Sequence, residues 1–414
     1  MQITFFGFLW CGVIILAFFQ NDFKKMLGVT LFSMIMQCNN IIILNGTGVG
    51  VQIFTACIAC VRLLFEPNDK RKGSKPTYMV GLFVLLLISI LISMWLNDVW
   101  EEKQMIPFMV LIAYTVLLIL LSYKKIVIDE KWLTKVEDII ITTVLVVGFL
   151  QVLNKLGVLP IEKILTPLIY NDVSNTDVIF NHKSTYRFYS TFMEPSYCGA
   201  FLVGLFALVS LREKLDGKNI LLCIFLSMAI ILTRASTAYG GLVITIAVIF
   251  FVRAKKKVYK FILPLLLIAG FGIIVLNPEL LNEVIFEKSN TGSFSVRENW
   301  NEDALEKFNA NPFFGSGFRV VRASSLFYSI LGEIGLFGMT IYALILLYFL
   351  MIGLIGKKSN NLIAHAILII GVAICQLIAC PDLTLSPFWL SLFWFVLAYK
   401  ARLRSNKWRI SDEK

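Results

Sequence analysis

Long apolar segments alternate with short polar segments along the whole chain. Runs of about 18 apolar residues recur, which is close to the length that an α-helix needs to cross a bilayer. The pattern predicts a polytopic all-α membrane protein, built as a single integral membrane domain over residues 1–414. We expect thirteen spans, with twelve or fourteen as the alternatives. The predicted spans are Ile3–Phe19, Met26–Ile43, Val49–Phe65, Met79–Leu96, Pro107–Leu121, Ile139–Leu156, Thr191–Leu211, Ile220–Thr233, Ala238–Val252, Phe261–Leu276, Phe327–Leu354, Ile363–Ala379 and Phe388–Tyr399.

Composition agrees with this class of protein. Hydrophobic residues make up 58% of the chain and charged residues 16%, whereas soluble domains average about 45–50% and about 25%. Most cysteines fall in or beside apolar runs, where they usually act as small hydrophobic residues. The chain has only two histidines, too few for a His-rich metal site. Because it also lacks a P-loop and a dinucleotide-binding fingerprint, we expect no metal and no cofactor.

The basic residues predict the orientation of the spans. They cluster in alternate loops, and the loops between them are acidic or nearly uncharged. By the positive-inside rule the basic loops and the C-terminus are cytoplasmic, so the net charge of +11 reflects membrane topology rather than nucleic-acid binding. Residues 157–190 and 277–325 are then external loops. The basic clusters are Lys24/Lys25, Lys70–Lys72 with Lys75, Lys124/Lys125, Arg212/Lys214, Arg253 with Lys255–Lys257, Lys357/Lys358 and Lys400–Arg409.

The larger external loop contains a helix pattern. Ser295 and Glu298 form an S-x-x-E capping box, and Asn311-Pro312 ends the run. Between them an apolar residue recurs every four positions, at Val296, Trp300, Ala304 and Phe308. We expect a helix of about three turns that either lies on the membrane surface or packs against the bundle.

Arginines gather at the external ends of the spans and in the larger loop. They are Arg187, Arg234, Arg297, Arg319 and Arg322. Any one of them could pair with a local carboxylate or extend to lipid headgroups. Several from three separate segments, however, fit a cluster of guanidinium forks that grips a diphosphate.

Glu194 is the acidic residue closest in sequence to Arg187 at this boundary. Pro195 follows it and favours a break at the start of the next span. Two roles remain open for Glu194: it is a general base, or it is a partner that orients Arg187.

A series of short motifs carries a family resemblance. The motifs come in the order seen in the O-antigen polymerase and ligase superfamily, and the chain looks like a Wzy-type polysaccharide polymerase. The resemblance covers roughly Arg187 to Gly338, whereas the first 180 residues match only in hydropathy. The motifs are Arg187 with Ser190 and Glu194-Pro195-Ser196-Tyr197, Leu232-Thr-Arg-Ala-Ser236, Arg297 with Trp300, Asn311-Pro312-Phe-Phe-Gly315-Ser-Gly317, and Leu331-Gly-Glu333-Ile-Gly335-Leu-Phe-Gly338.

The resemblance implies a metal-independent GT-C-type glycosyltransferase in the bacterial cytoplasmic membrane. It implies a polymerase that joins oligosaccharide repeat units, carried on undecaprenyl diphosphate, into O-antigen, capsule or exopolysaccharide outside that membrane. Arg187, Arg234 and Arg297 are then the diphosphate ligands. Further substrate-binding candidates are Tyr197, Ser236, Arg319 and Arg322. Membrane lipid, a chain-length regulator and a flippase are the implied partners.

Two other functions remain as alternatives. The ligase branch of the superfamily has a histidine a few residues before its Glu-x-Gly motif, where this chain has Ser324. That difference favours a polymerase and leaves Glu194 as the best candidate for the base. A non-enzymatic flippase or transporter would instead predict mid-span charges and paired repeats, and the sequence shows neither.

Overall fold

The computed structural model of the chain describes residues 2–44, 47–69, 76–160, 169, 187–213, 216–253, 292–355 and 360–412. Within these ranges the chain forms thirteen helices and one three-stranded sheet. The helices are α1 (Phe5–Phe18), α2 (Phe23–Ser33), α3 (Val51–Leu64), α4 (Thr77–Leu96), α5 (Glu102–Tyr123), α6 (Glu130–Lys155), α7 (Pro195–Ser210), α8 (Gly217–Leu232), α9 (Ser236–Arg253), α10 (Gly292–Ala310), α11 (Leu326–Ile355), α12 (Asn360–Ala379) and α13 (Ser386–Asp412). The strands are β1 (Gln2–Ile3), β2 (Asn40–Leu44) and β3 (Thr47–Gly50).

The helical membrane class is confirmed. Five of the described helices, α4, α5, α6, α11 and α12, are long and apolar enough to cross a membrane. Five shorter apolar helices accompany them, namely α1, α3, α7, α8 and α9. The predicted span Phe261–Leu276 lies outside the described residues, as do residues 161–168 and 170–186 of the first external loop and 277–291 of the second. The count of thirteen spans and the GT-C-type architecture therefore stay predictions.

The second predicted span, Met26–Ile43, is wrong. Helix α2 ends at Ser33, and residues from Asn40 onward form β2, which pairs antiparallel with β1 and β3. The run Ile41-Ile42-Ile43 is β-branched, and such side chains pack well on a pleated strand. Hydropathy alone cannot separate this strand from the end of a helix, so the all-α prediction missed the sheet.

Helix boundaries follow capping groups rather than the limits of the apolar runs. Helix α6 begins at Glu130, nine residues before the predicted span, because the Asp129 side chain accepts from the Trp132 amide at 2.7 Å. Helix α10 begins at Gly292, so Ser295 lies inside the helix and the predicted capping box is wrong. Its C-terminal end, before Asn311-Pro312, is as predicted.

Helix α10 packs against the bundle rather than standing apart from it. Ala304 is buried with Val321 and Ala323, and a Cβ at Gly332 of α11 would lie 2.9 Å from the Ala304 carbonyl oxygen. These contacts decide between the two placements that the sequence left open for this helix.

The core is centred on α7, which packs against α8, α9 and α12. A Cβ at Gly204 would lie 2.8 Å from the Val372 side chain and 3.0 Å from the Leu368 carbonyl oxygen. Only glycine therefore lets α7 and α12 approach this closely. The apolar part of α13 is also interior, with Phe393, Trp394 and Phe395 fully buried.

Polar contacts join several helix ends at one end of the bundle. Lys24 pairs with Asp129, Lys124 donates to the Glu66 carbonyl, and Lys400 pairs with Asp69 and donates to the Lys124 carbonyl. We call this end of the bundle, which carries Lys400, the opposite end. The other end carries Arg187 and is called the site end. Lys24, Lys124 and Lys400, from three of the basic clusters, thus share one end, while its cytoplasmic location stays a prediction.

Candidate functional site

Arg187 is held by the end of α8. Its Nε donates to the Thr233 carbonyl at 3.1 Å and its Nη2 to the Arg234 carbonyl at 3.2 Å. The next residue, Phe188, donates its amide to the Leu232 carbonyl at 2.9 Å. Carbonyls at a helix C-terminus lack intrahelical partners and carry partial negative charge. The helix end therefore orients the guanidinium and stabilises its charge.

Arg234 connects α8 to α9 in a conformation that is uncommon for a residue with a side chain. Its φ is +50°, in the left-handed region, and its side chain is exposed. Non-glycine residues in this region are often found at functional sites. Ser236 follows as the first residue of α9 and is also exposed.

Two other predicted arginines, Arg234 and Arg297, act electrostatically on Arg187 at the site end. Burial lowers the pKa of the Arg187 guanidinium, and the nearby charges of Arg297 and Arg234 lower it further, while Glu194 and Tyr239 act in the other direction. Among the described residues no carboxylate lies within ion-pair distance of any of the three. We call Arg187, Arg234 and Arg297 the arginine cluster. It is a concentration of positive charge that suits an anionic ligand.

Glu194 does not contact Arg187. It occupies the N-cap position of α7 with an exposed side chain, and its Oε2 accepts from the Ser196 hydroxyl at 3.0 Å. Pro195 takes the first helical position, as its fixed φ favours. Backbone carbonyls, rather than this carboxylate, hold Arg187, so the orienting role considered for Glu194 is not realised in this geometry.

The other two predicted arginines have local partners. Arg319 donates from Nη2 to Asp382 Oδ1 at 2.5 Å, and the Asp382 charge raises the pKa of the Arg319 guanidinium although burial opposes this. Arg322 stacks on Trp300, with its guanidinium carbon 3.9 Å from the ring centroid. Neither residue is in the arginine cluster.

Glu333 and Asp382 are carboxylates at the site end that were not predicted from the sequence as site residues. Glu333 is 3% exposed and interacts with the Arg319 amide and the Ser329 hydroxyl. Glu333 lies in the Leu331–Gly338 motif, and Asp382 is the one charged residue between α12 and α13. The signal in the sequence that could have identified them is a carboxylate flanked by apolar helical residues.

A rigid loop positions Arg319. Gly315 and Gly335 have φ values of +69° and +65°, and a Cβ at Gly315 would lie 2.3 Å from the Glu333 carbonyl carbon. The Ser316 amide donates to the Gly332 carbonyl at 2.9 Å and the Gly317 amide to the Glu333 carbonyl at 3.1 Å. The loop and the kink of α11 at Gly335 thus pack backbone against backbone.

The charge of Glu194 acts on members of two groups of polar residues. Its charge acts on Arg187 in the arginine cluster, and it also lies within electrostatic range of Tyr197, as do Asp382 and Arg319. We call Tyr197, Arg319, Asp382 and Thr384 the Asp382 cluster. From the N-terminus of α7, the Glu194 carboxylate therefore acts electrostatically on one member of each cluster, Arg187 and Tyr197.

A separate charged network lies at the opposite end. Glu137 contacts Arg212 at 3.3 Å and the buried His365 at 2.9 Å, and Arg212 also pairs with Asp138 at 2.8 Å. The network borders a groove of about 980 Å³. It is remote from the arginine cluster, and none of its residues was among the sequence-predicted site residues. Within the described ranges, no group of three or more His, Cys, Asp or Glu side chains could hold a metal ion.

Comparison with known proteins supports the resemblance found in the sequence. No curated protein matches the chain. Residues 221–343 match a family described as O-antigen ligase, and this stretch contains Arg234, Arg297, Arg319, Arg322 and Glu333. This match confirms the resemblance of the chain to the O-antigen polymerase and ligase superfamily over residues 221–343.

Proposed function

We propose that the protein is a polysaccharide polymerase of the bacterial cytoplasmic membrane. It joins oligosaccharide repeat units carried on undecaprenyl diphosphate into O-antigen, capsule or exopolysaccharide on the outer face. The main support is that Arg187 donates to the Arg234 carbonyl, that the charge of Arg297 acts on the same guanidinium, and that none of the three has a carboxylate within ion-pair distance among the described residues. The matched family acts on lipid-linked oligosaccharides, which agrees with a diphosphate ligand here.

The arginine cluster suits the chemistry of this transfer. A diphosphate is already a good leaving group, so the site must chiefly hold the reactants in line and neutralise the charge that grows on the departing oxygen. Guanidinium groups stay charged and bind phosphate oxygens in pairs without a metal. Arg187 is pre-oriented through Nε and Nη2, and its Nη1 has no partner among the described residues. That nitrogen is available to the ligand.

Glu194 is the proposed base. Its exposed carboxylate has one hydrogen-bond partner among the described residues, Ser196. The acceptor hydroxyl forms the new bond to the anomeric carbon and transfers its proton to Glu194. The bond from that carbon to the diphosphate breaks, and the electron pair leaves with the diphosphate. Glu194 needs to be near both substrates for this step, and it lies within range of both clusters.

A ligase is the second candidate, since the matched family is described as O-antigen ligase. Ser324 occupies the position at which the ligase branch has its histidine. The hydroxyl and the amide of Ser324 both donate to Asn301 Oδ1, at 2.9 and 3.0 Å. His365 lies in the network at the opposite end, and His182 lies outside the described residues. These observations favour the polymerase.

Surface glycan from a deletion strain tests the proposal. We expect single repeat units on the surface, with long chains restored by the wild-type gene and not by Arg187→Ala. Long chains that accumulate on the lipid carrier would instead identify a ligase. A strain that exports no repeat units would identify a flippase. Gel electrophoresis of the glycan separates the three results.

A further inference from the structure

The Asp382 cluster has no role in the transfer step described above. Asp382 Oδ1 accepts three hydrogen bonds, from Arg319 Nη2 at 2.5 Å, the Thr384 amide at 2.8 Å and the Thr384 hydroxyl at 2.6 Å. Its Oδ2 has no partner among the described residues, and the side chain is 22% exposed. One carboxylate oxygen is thus fixed by protein contacts, and the other is left for a ligand.

We propose that the Asp382 cluster is the subsite for the sugar of the acceptor unit. The proposal rests on the polymerase function and adds to it residues that place the acceptor beside Glu194. Asp382 and Thr384 lie outside the matched stretch of residues 221–343, and they come from the loop between α12 and α13.

The charge of the cluster selects against a diphosphate. Arg319 is neutralised by Asp382, and the free Oδ2 would repel phosphate oxygens. A sugar hydroxyl, by contrast, both donates and accepts a hydrogen bond. The cluster offers an acceptor in Asp382 and donors in the Arg319 guanidinium and the Tyr197 phenol. That mixture fits neighbouring hydroxyls on a sugar ring, while the diphosphate fits the arginine cluster.

The scaffold under the cluster is rigid. Arg319 itself has a φ of +59°, and its amide interacts with the buried Glu333. The Ser93 hydroxyl links the Glu333 carbonyl, at 2.6 Å, to the Gly317 amide, at 3.1 Å. Backbone strain of this kind persists where surrounding contacts hold it, and it is concentrated at ligand-binding sites.

The placement also suits the transfer. Tyr197 lies within range of Glu194, Asp382 and Arg319, and Glu194 in turn acts on Arg187. Glu194 and Tyr197 are three residues apart at the start of α7, so an acceptor sugar that contacts the Tyr197 phenol would lie on the side of the helix that carries Glu194. Its hydroxyl proton would move to the carboxylate as the new glycosidic bond forms.

Two probes separate the sugar subsite from the diphosphate site in the purified full-length protein. The first is the repeat-unit oligosaccharide, freed by mild acid from the lipid-linked units of a deletion strain. The second is undecaprenyl diphosphate without sugar. We expect Asp382→Asn to weaken oligosaccharide binding by about tenfold to a hundredfold, because it removes a charge-assisted acceptor. Binding of undecaprenyl diphosphate should stay within about twofold. Arg187→Ala should have the reverse pattern.

Glu66→Gln is the matched control. It removes an arginine–carboxylate pair of similar exposure, Arg62–Glu66, at the opposite end, and should change neither binding constant. Thr384→Val, which keeps the carboxylate and removes the hydroxyl that donates to it, gives a second test if Asp382→Asn lowers the unfolding temperature. Oligosaccharide binding should be weaker in this variant also.

Two results with the variants would overturn the subsite. They are unchanged oligosaccharide binding in both stable variants, or a parallel loss of undecaprenyl diphosphate binding. A wild-type protein that binds undecaprenyl diphosphate but not the oligosaccharide would also reject it, and the polymerase function would stand. Failure of the polymerase function is seen separately, as a deletion strain whose surface glycan keeps its normal chain length.

Discussion

Arg187 Nε donates to the carbonyl of Thr233, the C-cap residue of α8, across 3.1 Å. The guanidinium is therefore oriented by backbone that belongs to another element, 46 residues further along the chain. The carboxylate of Glu194, which the sequence offered as the orienting partner, points to Ser196 instead. A carboxylate that is not needed to hold Arg187 is available for proton transfer.

Both Arg187→Ala and Arg187→Lys should abolish chain growth while the protein still accumulates in the membrane. Lysine keeps the charge but cannot make the two carbonyl contacts and also present a planar fork to phosphate. The loss of one charge-assisted contact corresponds to about tenfold or more in donor affinity. Arg62→Lys, at the opposite end, is the control and should leave chain length unchanged. Full activity of the lysine variant would reject bidentate binding, and failure to accumulate would indicate a structural role.

Glu194→Gln should stop polymerisation and preserve binding of undecaprenyl diphosphate. The amide keeps the shape of the side chain but cannot take a proton. Ser196→Ala, which removes the hydrogen bond to Glu194 and leaves the carboxylate, should reduce the rate only modestly. Separate assays of donor binding and chain extension measure both variants. If Glu194→Gln also weakens donor binding, the charge of Glu194 supports Arg187 at a distance. Normal chain extension by this variant would exclude both the role of base and the role of partner to Arg187.

Residues at the two ends of the bundle should differ in accessibility from outside the cell. Cysteine introduced at Ser293 in α10 should react with a membrane-impermeant reagent in intact cells. Cysteine at Ser405, near the end of α13, should react only after permeabilisation, because the basic loops are expected inside. The protein without an introduced cysteine measures the background labelling of the native cysteines. Labelling of Ser405 but not Ser293 in intact cells would reverse the orientation.

Gly315→Ala should destabilise the loop that carries Arg319. The substitution adds a Cβ at a φ of +69°, where it would lie 2.3 Å from the Glu333 carbonyl carbon. We expect a loss of at least about 1–3 kcal/mol in the free energy of unfolding, with reduced chain extension. Gly12→Ala is the control, since a Cβ there meets no atom within 4 Å. Unfolding temperatures in detergent compare the two, and equal values would contradict the tight packing.

The pair His365–Glu137 should contribute to stability without taking part in catalysis. His365 Nδ1 faces the Asn361 carbonyl at 2.7 Å and must carry a proton, while Nε2 faces Glu137 Oε1 at 2.9 Å. Both ring nitrogens therefore contact an oxygen atom of another residue. Glu137→Ala leaves His365 and Arg212 without this partner and should cost about 3 kcal/mol.

The unfolding temperature of Glu137→Ala is the measurement. The exposed pair Lys103–Glu101 supplies the control, because Glu101→Gln should leave that temperature unchanged. If the folded fraction of Glu137→Ala binds undecaprenyl diphosphate normally, the role is structural. Loss of binding in the folded protein would connect this network to the site.

The apolar helices could be predicted from the sequence because the free energy of transferring about 20 residues into lipid depends on the composition of that segment alone. Helices α4, α5 and α12 lie where hydropathy placed them. Arg187 and Arg234 could be singled out because arginine is unusual at external span boundaries, and their role as site residues stays a prediction. Where the local signal was ambiguous, at Ile41–Ile43, prediction failed, because the same residues suit a buried helix and a strand.

Tertiary structure decided which polar groups meet. Arg319 and Asp382 are 63 residues apart in sequence, and no local pattern joins them. The carbonyls that hold Arg187 have no sequence signature at all, because every residue carries one and only folding selects Thr233 and Arg234. Residue types along the sequence could therefore suggest candidate site residues, whereas the division into an arginine cluster and an Asp382 cluster depends on contacts between elements distant along the chain.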